Sequence, residues 1–165
     1  MSCANSDENN KKLNSTVDYN LRNETLDSLR VYKAGNDTTL NLYTGKFHFE
    51  ESYIRNDTLF LLQSTGYFAG FDFEIQLALA DKSMNITGLK WSDAAKPTWY
   101  HPLSYELSFS TDEIEIGDSL KVKINMELMP ADSSEHSLYV RGTLMTDEIE
   151  FRNTYDDYWR IFRDW

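Results

Sequence analysis

Alternation of apolar and polar residues at every second position is the strongest pattern in the chain. Its clearest examples are residues 71–80 (FDFEIQLALA) and 119–129 (SLKVKINMELM). In each stretch the large apolar side chains fall on one face of an extended strand, whereas polar residues or alanines dominate the other face. A strict period of two over this length is typical of an antiparallel strand with one buried face.

Weaker alternation continues through much of the remaining chain. Segments such as 57–63, 104–110 and 137–145 carry it, and turn-forming stretches such as 115–119 separate them. We count about nine strands without intervening helical patterns, which predicts an all-β domain. Uneven strand lengths favour an antiparallel β-sandwich, and a lipocalin-like β-barrel is the alternative.

Two segments are ambiguous in this pattern. Residues 22–35 fit either a short helix ended by Gly35 or a strand from Leu29 to Lys33. The C-terminal tail has aromatic residues at helical spacing, namely Tyr155, Tyr158, Trp159 and Phe162. This spacing predicts a short amphipathic helix, and a final strand is the alternative.

Length and composition predict one domain behind a polar N-terminal tether. A chain of 165 residues forms a single domain by default. Residues 1–16 are almost wholly polar. We therefore predict a flexible tether over 1–16 and a single β-rich domain over 17–165.

The charge balance restricts the possible partners. The formal net charge is −11, and the sequence pI is near 4.6. Nucleic acids and anionic lipid surfaces bind clustered Lys and Arg, so we expect neither as a partner. A basic protein or a neutral ligand stays open.

Residues suited to catalysis are sparse. The three histidines, His48, His101 and His136, lie in no recognised catalytic or zinc-binding spacing. We therefore predict no catalytic residues, no metal and no cofactor. A hydrolase that uses a pair of carboxylates stays as an alternative, because acids are abundant throughout the chain.

One pentapeptide, Thr-Asp-Glu-Ile-Glu, occurs twice, at residues 111–115 and 146–150. Each copy follows one predicted strand and enters another apolar alternation. We interpret the repeat as two similar hairpins with Asp-Glu turns. The alternative is a calcium site shared by the two acidic turns.

A proline-bounded segment is the best candidate for recognition. Pro97 and Pro102 flank the sequence Trp99-Tyr100-His101. Since two prolines interrupt a central strand, we predict a loop here. The candidate binding residues, which would stack on a sugar ring or anchor a protein partner, are Trp91, Trp99, Tyr100 and His101. The alternative is that the tryptophans pack over one end of the domain.

The only cysteine, Cys3, is followed by small polar and acidic residues. This start resembles the mature N terminus of a bacterial lipoprotein, and Asp7 and Glu8 resemble the surface-export signal of Bacteroidota lipoproteins. The resemblance covers only the first residues of the chain. It implies a lipid on Cys3 that anchors the protein to the outer membrane, in the periplasm or at the cell surface.

A second motif points in the same direction. Asp followed by Ser or Thr and then Leu or Thr occurs at 27–29, 37–39, 57–59 and 118–120. This is similar to the O-glycosylation pattern of extracytoplasmic Bacteroidota proteins. The alternative is that each motif turns the chain into a strand that begins with its third residue.

Together these features predict a non-catalytic extracytoplasmic lipoprotein that binds a protein partner. The partner is either an envelope complex, of which this chain is an accessory subunit, or a toxin that it blocks as an immunity protein. The acid excess favours a basic partner. A surface glycan-binding lipoprotein is the alternative function, and a carboxylate-dependent hydrolase is the second alternative.

Overall fold

Regular structure in this protein is almost entirely β-strand. The computed structural model describes residues 13–33, 40–43, 46–64, 69–93, 96–132 and 136–152. Within these ranges there is no α-helix, and one short 3₁₀ helix spans Tyr19–Asn23. The strands are β1 (Leu13–Val17), β2 (Asp27–Lys33), β3 (Leu40–Tyr43), β4 (Glu51–Arg55), β5 (Thr58–Gln63), β6 (Ala69–Ala78), β7 (Met84–Asp93), β8 (Lys96–Phe109), β9 (Lys121–Pro130), β10 (Leu138–Met145) and β11 (Glu150–Phe151). The prediction of an all-β fold is confirmed.

The strands form one continuous sheet instead of two separate layers. Its order is β11-β4-β5-β6-β7-β8-β9-β10-β2-β3, and β1 pairs with β8 outside this path. The sheet curls into a half-barrel, which agrees with the barrel-like alternative of the predicted fold. Two pairs, β1 with β8 and β11 with β4, are parallel, so the sheet is mixed and not wholly antiparallel.

Strand β8 connects the two halves of the sheet. Its residues Lys96–Trp99 pair with β7, its residues from Tyr100 onward pair with β9, and β1 joins it from Tyr105. The predicted loop is therefore wrong, because Pro97 and Pro102 both lie within this strand. Before Tyr105, strand β8 pairs with a neighbouring strand along one edge only. A proline whose nitrogen faces the unpaired edge therefore removes no hydrogen bond between strands.

The core lies on the inner face of the curled sheet. The apolar residues that alternate along β6 and β9 are buried there, as predicted. Strands β4 and β5 are buried on both faces, since Ile54, Leu59 and Leu61 join the main core. Tyr53, Phe60 and Leu62 form a second buried cluster.

The ends of the predicted domain differ in part from the structure. Strand β1 begins at Leu13, inside the stretch 1–16 for which a tether was predicted, because residues 13–17 pair with β8. The ambiguous segment 22–35 contains the end of the 3₁₀ helix and the strand β2. Cys3 and the tail 153–165 lie outside the described residues. Among the described residues, none belongs to a helix of the length and apolarity that a membrane span requires.

Candidate binding face

Alternation along β8 separates the predicted recognition residues onto opposite faces of the sheet. Trp99 and His101 point to the outer surface, and Trp99 keeps 38% of its surface exposed. Tyr100, between them, is only 6% exposed and belongs to the main core. Trp91 is partly buried against the same core from β7. The structure therefore brings Trp99 and His101 together and places Trp91 and Tyr100 behind them.

Trp99 rests against a nearly buried ion pair. It lies opposite Lys90 in the register of β7 and β8, and the Lys90 Nζ is 5.8 Å from the centroid of the Trp99 ring. The same Nζ is 3.2 Å from the Asp72 Oδ2, and these two side chains are 10% and 17% exposed. Asp72 also accepts a hydrogen bond of 2.8 Å from the Ser64 hydroxyl. This network holds the Lys90 ammonium against the Trp99 ring, and that contact restricts the orientation of the ring.

Met129 on β9 extends the exposed apolar surface. It lies directly opposite His101 in the β8–β9 register and is 49% exposed. The backbone is fixed at this point, since the Trp99 carbonyl accepts a hydrogen bond of 2.8 Å from the Ala131 N–H. We call Trp99, His101 and Met129 the crossover patch, because β8 crosses from β7 to β9 here.

A shallow polar groove continues from the crossover patch along the outer surface of β8, β9 and β10. It has a volume of about 260 Å³ and is lined by Ser104, Tyr105, Glu106, Asn125, Glu127, Tyr139 and Arg141. Two rows cross the three strands at this groove. The first row is Ser104, Glu127 and Tyr139, and the second is Glu106, Asn125 and Arg141.

Hydrogen bonds between the strands fix the side chains of this groove. The Tyr139 hydroxyl donates to the Glu127 Oε1 over 3.2 Å, and the Arg141 Nε donates to the Asn125 Oδ1 over 3.2 Å. The hydrogen bond to Glu127 and the charge of that carboxylate raise the pKa of Tyr139 above its ordinary value. The phenol therefore stays a neutral donor through the physiological range.

The crossover patch and the polar groove form one surface, which we call the outer face. Glu127 and Met129 alternate with core residues on β9 and join the two parts. Sequence reasoning missed Met129, Tyr139 and Arg141. The alternation of β9 held the signal for Met129, since a large apolar residue occupies the polar phase of that strand.

Histidines and acids do not gather into a metal centre within the described part of the chain. No group of three or more His, Cys, Asp and Glu side chains there has an arrangement that holds a metal ion. The His48 Nδ1 lies 3.1 Å from the Asp147 Oδ1, on the far end of β10 from Tyr139. His101 belongs to the crossover patch.

Three of the four Asp-Ser/Thr motifs lie where the chain enters a strand. Residues 27–29 begin β2, 57–59 form the turn into β5, and 118–120 precede β9. The leucine that ends each of these motifs is buried in the main core. The fourth motif, at 37–39, lies outside the described residues.

The outer face thus combines an exposed tryptophan, an exposed methionine and a hydrogen-bonded polar groove on paired strands. Such a surface suits contact with a second molecule, because Trp99, Tyr139 and Arg141 are held in place before binding. No family model, no curated protein and no solved structure matches the chain.

Proposed function

We propose that the protein is a non-catalytic extracytoplasmic lipoprotein that binds a protein partner through its outer face. The observation that carries this proposal is the exposure of Trp99 and Met129 on the same face of two neighbouring paired strands. Trp, Tyr, Met and Arg are enriched at protein interfaces, and all four types occur on this face.

The position of Trp99 supports its role as the anchor of the interface. An interface residue contributes most when it is large, held in place beforehand and surrounded by groups that exclude water. Trp99 is held by the Lys90 cation and by the backbone bond to Ala131. His101 and Met129 supply neighbouring contacts.

The charge of the chain favours a basic partner, such as a subunit of an envelope complex or a toxin. With a net charge of −11, long-range attraction accelerates the encounter with a cationic protein. The association rate should then fall as ionic strength rises, because salt screens charges beyond about 8 Å at physiological concentration.

A glycan is the second candidate ligand of the same face. The polar groove offers two phenols, an amide, a guanidinium and two carboxylates farther along the same face as Trp99. One ring of an oligosaccharide would stack on Trp99 while the hydroxyls of its further rings bind these groups. This alternative predicts binding that is insensitive to salt, since a neutral sugar feels little of the net charge.

A lipid on Cys3 would place this binding face at the outer membrane. The support is the lipoprotein-like start of the chain, with its lone cysteine and following acids. Labelling of the full-length precursor with a fatty acid, lost in Cys3→Ser, tests the anchor separately from binding.

Site-specific photo-crosslinking in the cells that produce the protein tests the binding function. A photoreactive amino acid replaces Met129 on the outer face or, as a matched control, Phe47, an exposed aromatic at the far end of the domain. We expect a discrete protein adduct from position 129 that unlabelled wild-type protein suppresses and that Trp99→Ala protein does not. Equal adducts from both positions, or equal suppression by Trp99→Ala, would contradict the proposal.

A further inference from the structure

A second recess lies at the opposite end of β9 from the crossover patch. It has a volume of about 510 Å³ and lies between the 3₁₀ helix, the β8–β9 connection and the end of β10. Its lining residues are Arg22, Ser110, Thr111, Glu113, Glu115, Asp118, Ser119, Lys121 and Met145. We call it the repeat cleft, because it contains much of the first Thr-Asp-Glu-Ile-Glu copy. Its volume lies in the range of about 300–1,000 Å³ that is usual for small-molecule sites.

Two cations, Arg22 and Lys121, line the repeat cleft. The Lys121 ammonium donates to the carbonyl oxygens of Arg22, at 2.9 Å, and of Glu24. The Arg22 Nε donates to the Ser110 carbonyl over 3.0 Å. Within the described part of the chain, neither cation forms a salt bridge with a carboxylate. These cations are therefore held by backbone oxygens, and Arg22 also lies 5.8 Å from the Tyr19 ring centroid, while a ligand carboxylate could accept from their remaining N–H groups.

Three carboxylates of the β8–β9 connection also line the repeat cleft. Glu113, Glu115 and Asp118 are exposed, and none of them forms a salt bridge among the described residues. The connection is nevertheless ordered by local hydrogen bonds. The Thr111 hydroxyl bonds the backbone of Glu113, and the Asp118 carboxylate accepts from the Glu115 N–H over 2.9 Å. The acids are thus held beside the cations without neutralising them.

The second copy of the repeat forms hydrogen bonds with the β8–β9 connection that lines the cleft. Thr146 is fully buried, its hydroxyl accepts from the Leu120 N–H and its own N–H donates to the Leu120 carbonyl, each over 2.9 Å. Gly117 and Asp118 exchange backbone hydrogen bonds with Ile149. Met145, which precedes this copy, supplies the one apolar side chain of the lining. The two copies therefore meet, and together they shape the cleft.

We propose that the repeat cleft binds a zwitterionic ligand of amino-acid or dipeptide size. The ligand carboxylate contacts Arg22 and Lys121, and the ligand ammonium contacts the carboxylates of the β8–β9 connection. A short apolar side chain on the ligand would rest against Met145. This site is independent of the outer face, so it does not depend on the function proposed above.

Titration of the full-length ¹⁵N-labelled protein with the dipeptide Ala-Leu tests the proposal. The matched ligands are its N-acetylated and C-amidated forms, each of which lacks one charge. We expect saturable amide shifts at residues 110–121 and 145–149, with affinity reduced at least tenfold by either modification. Shifts that do not saturate, or that both modified ligands reproduce, would overturn the proposal.

Two variants locate the charges within the protein. Arg22→Gln should weaken the binding of Ala-Leu at least tenfold. The already weaker binding of C-amidated Ala-Leu should not change, because that ligand has no carboxylate for Arg22 to contact. Arg30→Gln, at an exposed position of β2 that lines neither the repeat cleft nor the polar groove, is the control and should bind Ala-Leu as wild type does. Spectra of the free variants confirm that each is folded. Equal losses for the free and amidated dipeptides in Arg22→Gln would contradict the assignment.

Discussion

At the scale of the residue, the Lys90–Asp72 pair is much less exposed than a surface ion pair such as Arg30–Asp27. Its side chains are 10% and 17% exposed, whereas those of Arg30–Asp27 are 45% and 54% exposed. A buried charge destabilises the fold strongly when its partner is removed, whereas an exposed ion pair contributes little to stability. The Lys90–Asp72 pair therefore supports the fold and also holds the cation beneath Trp99.

Replacing Asp72 with Ala should lower the free energy of unfolding by about 2–4 kcal/mol, because the nearly buried Lys90 charge loses the Asp72 carboxylate. Asp27→Ala, the exposed control, should change it by less than about 1 kcal/mol. Urea unfolding followed by circular dichroism measures both. Equal effects of the two substitutions would show that burial of the pair has no energetic weight.

Gly142 on β10 is required by close approach of the neighbouring strand. A Cβ atom at this position would lie 2.9 Å from the Leu29 Cα, where the β10–β2 register shifts. Gly142→Ala should therefore destabilise the protein by about 1–3 kcal/mol through overpacking. The comparison is Gly88→Ala, where φ is +65° and no atom lies within 4 Å, so only the roughly 1–2 kcal/mol cost of the left-handed backbone applies. A crystal structure of Gly142→Ala with an unmoved β2 would contradict the steric explanation.

The Tyr19–Asp112 hydrogen bond makes stability depend on pH at both extremes. Its length is 2.8 Å, and it lowers the pKa of Asp112 and raises that of Tyr19. The contribution of Asp112 is full above the ordinary carboxyl pKa and is lost as the pH falls through the depressed folded pKa. The contribution of Tyr19 is full below the ordinary phenol pKa and is lost as the pH rises through the raised folded pKa.

Tyr19→Phe should therefore lower the melting temperature most near neutral pH, where the bond is intact in the wild type. The difference between the two proteins should shrink towards acid and towards alkali. Melting curves followed by circular dichroism across the pH range measure it. A difference that does not change with pH would contradict the role of this hydrogen bond.

At the scale of the element, the sequence pattern predicted those strands in which one face is buried and the other is more polar from end to end. Strands β6 and β9 alternate between a buried and a more polar face, and that alternation is visible in the sequence. Strand β8 was predicted only from Ser104 onward, and its first half was predicted as a loop, because its partner changes between Trp99 and Tyr100. Because of this change, one edge of β8 is unpaired where the prolines lie, and prolines are tolerated at such an edge. A local sequence pattern does not reveal a strand partner that is distant in sequence.

The candidate site shows the same limit. Trp91, Trp99, Tyr100 and His101 were selected as one binding site with the last three in a loop, whereas two strands distribute them over two faces. Once a strand is assumed, its period of two separates Tyr100 from Trp99 and His101. Tyr139 was not selected, since its importance depends on pairing with Glu127 across β9 and β10.

Strand β1 should protect alternate amides of β8 from hydrogen exchange. Its residues Leu13–Val17 pair in parallel with Tyr105–Phe109, whose other side pairs with β9. A chain that starts at Asp18 should exchange the β8 amides facing β1 at least tenfold faster and leave those facing β9 protected. A chain that starts at Leu13 is the control and should retain the wild-type pattern. Uniform loss of protection along β8 would indicate wider unfolding and contradict this account.

At the scale of the whole molecule, the outer surface of the curled sheet differs between its two halves. Over β4 and β5 this surface is covered, and Arg55 and Arg152 lie 4.9 Å and 4.4 Å from the ring centroids of Phe60 and Tyr53. Over β8 to β10 it carries the exposed crossover patch and the polar groove. A partner would therefore find its contact surface on the second half.

The affinity of the crosslinked partner, once purified, tests the central claim most directly. The comparison is between wild type, Trp99→Ala and Phe47→Ala, since Trp99 and Phe47 are 38% and 44% exposed and lie at opposite ends of the domain. Isothermal titration calorimetry should show a loss of at least about 2 kcal/mol, roughly thirtyfold in Kd, for Trp99→Ala and no change for Phe47→Ala. Unchanged affinity in Trp99→Ala, with folding intact, would contradict the outer face as the binding surface.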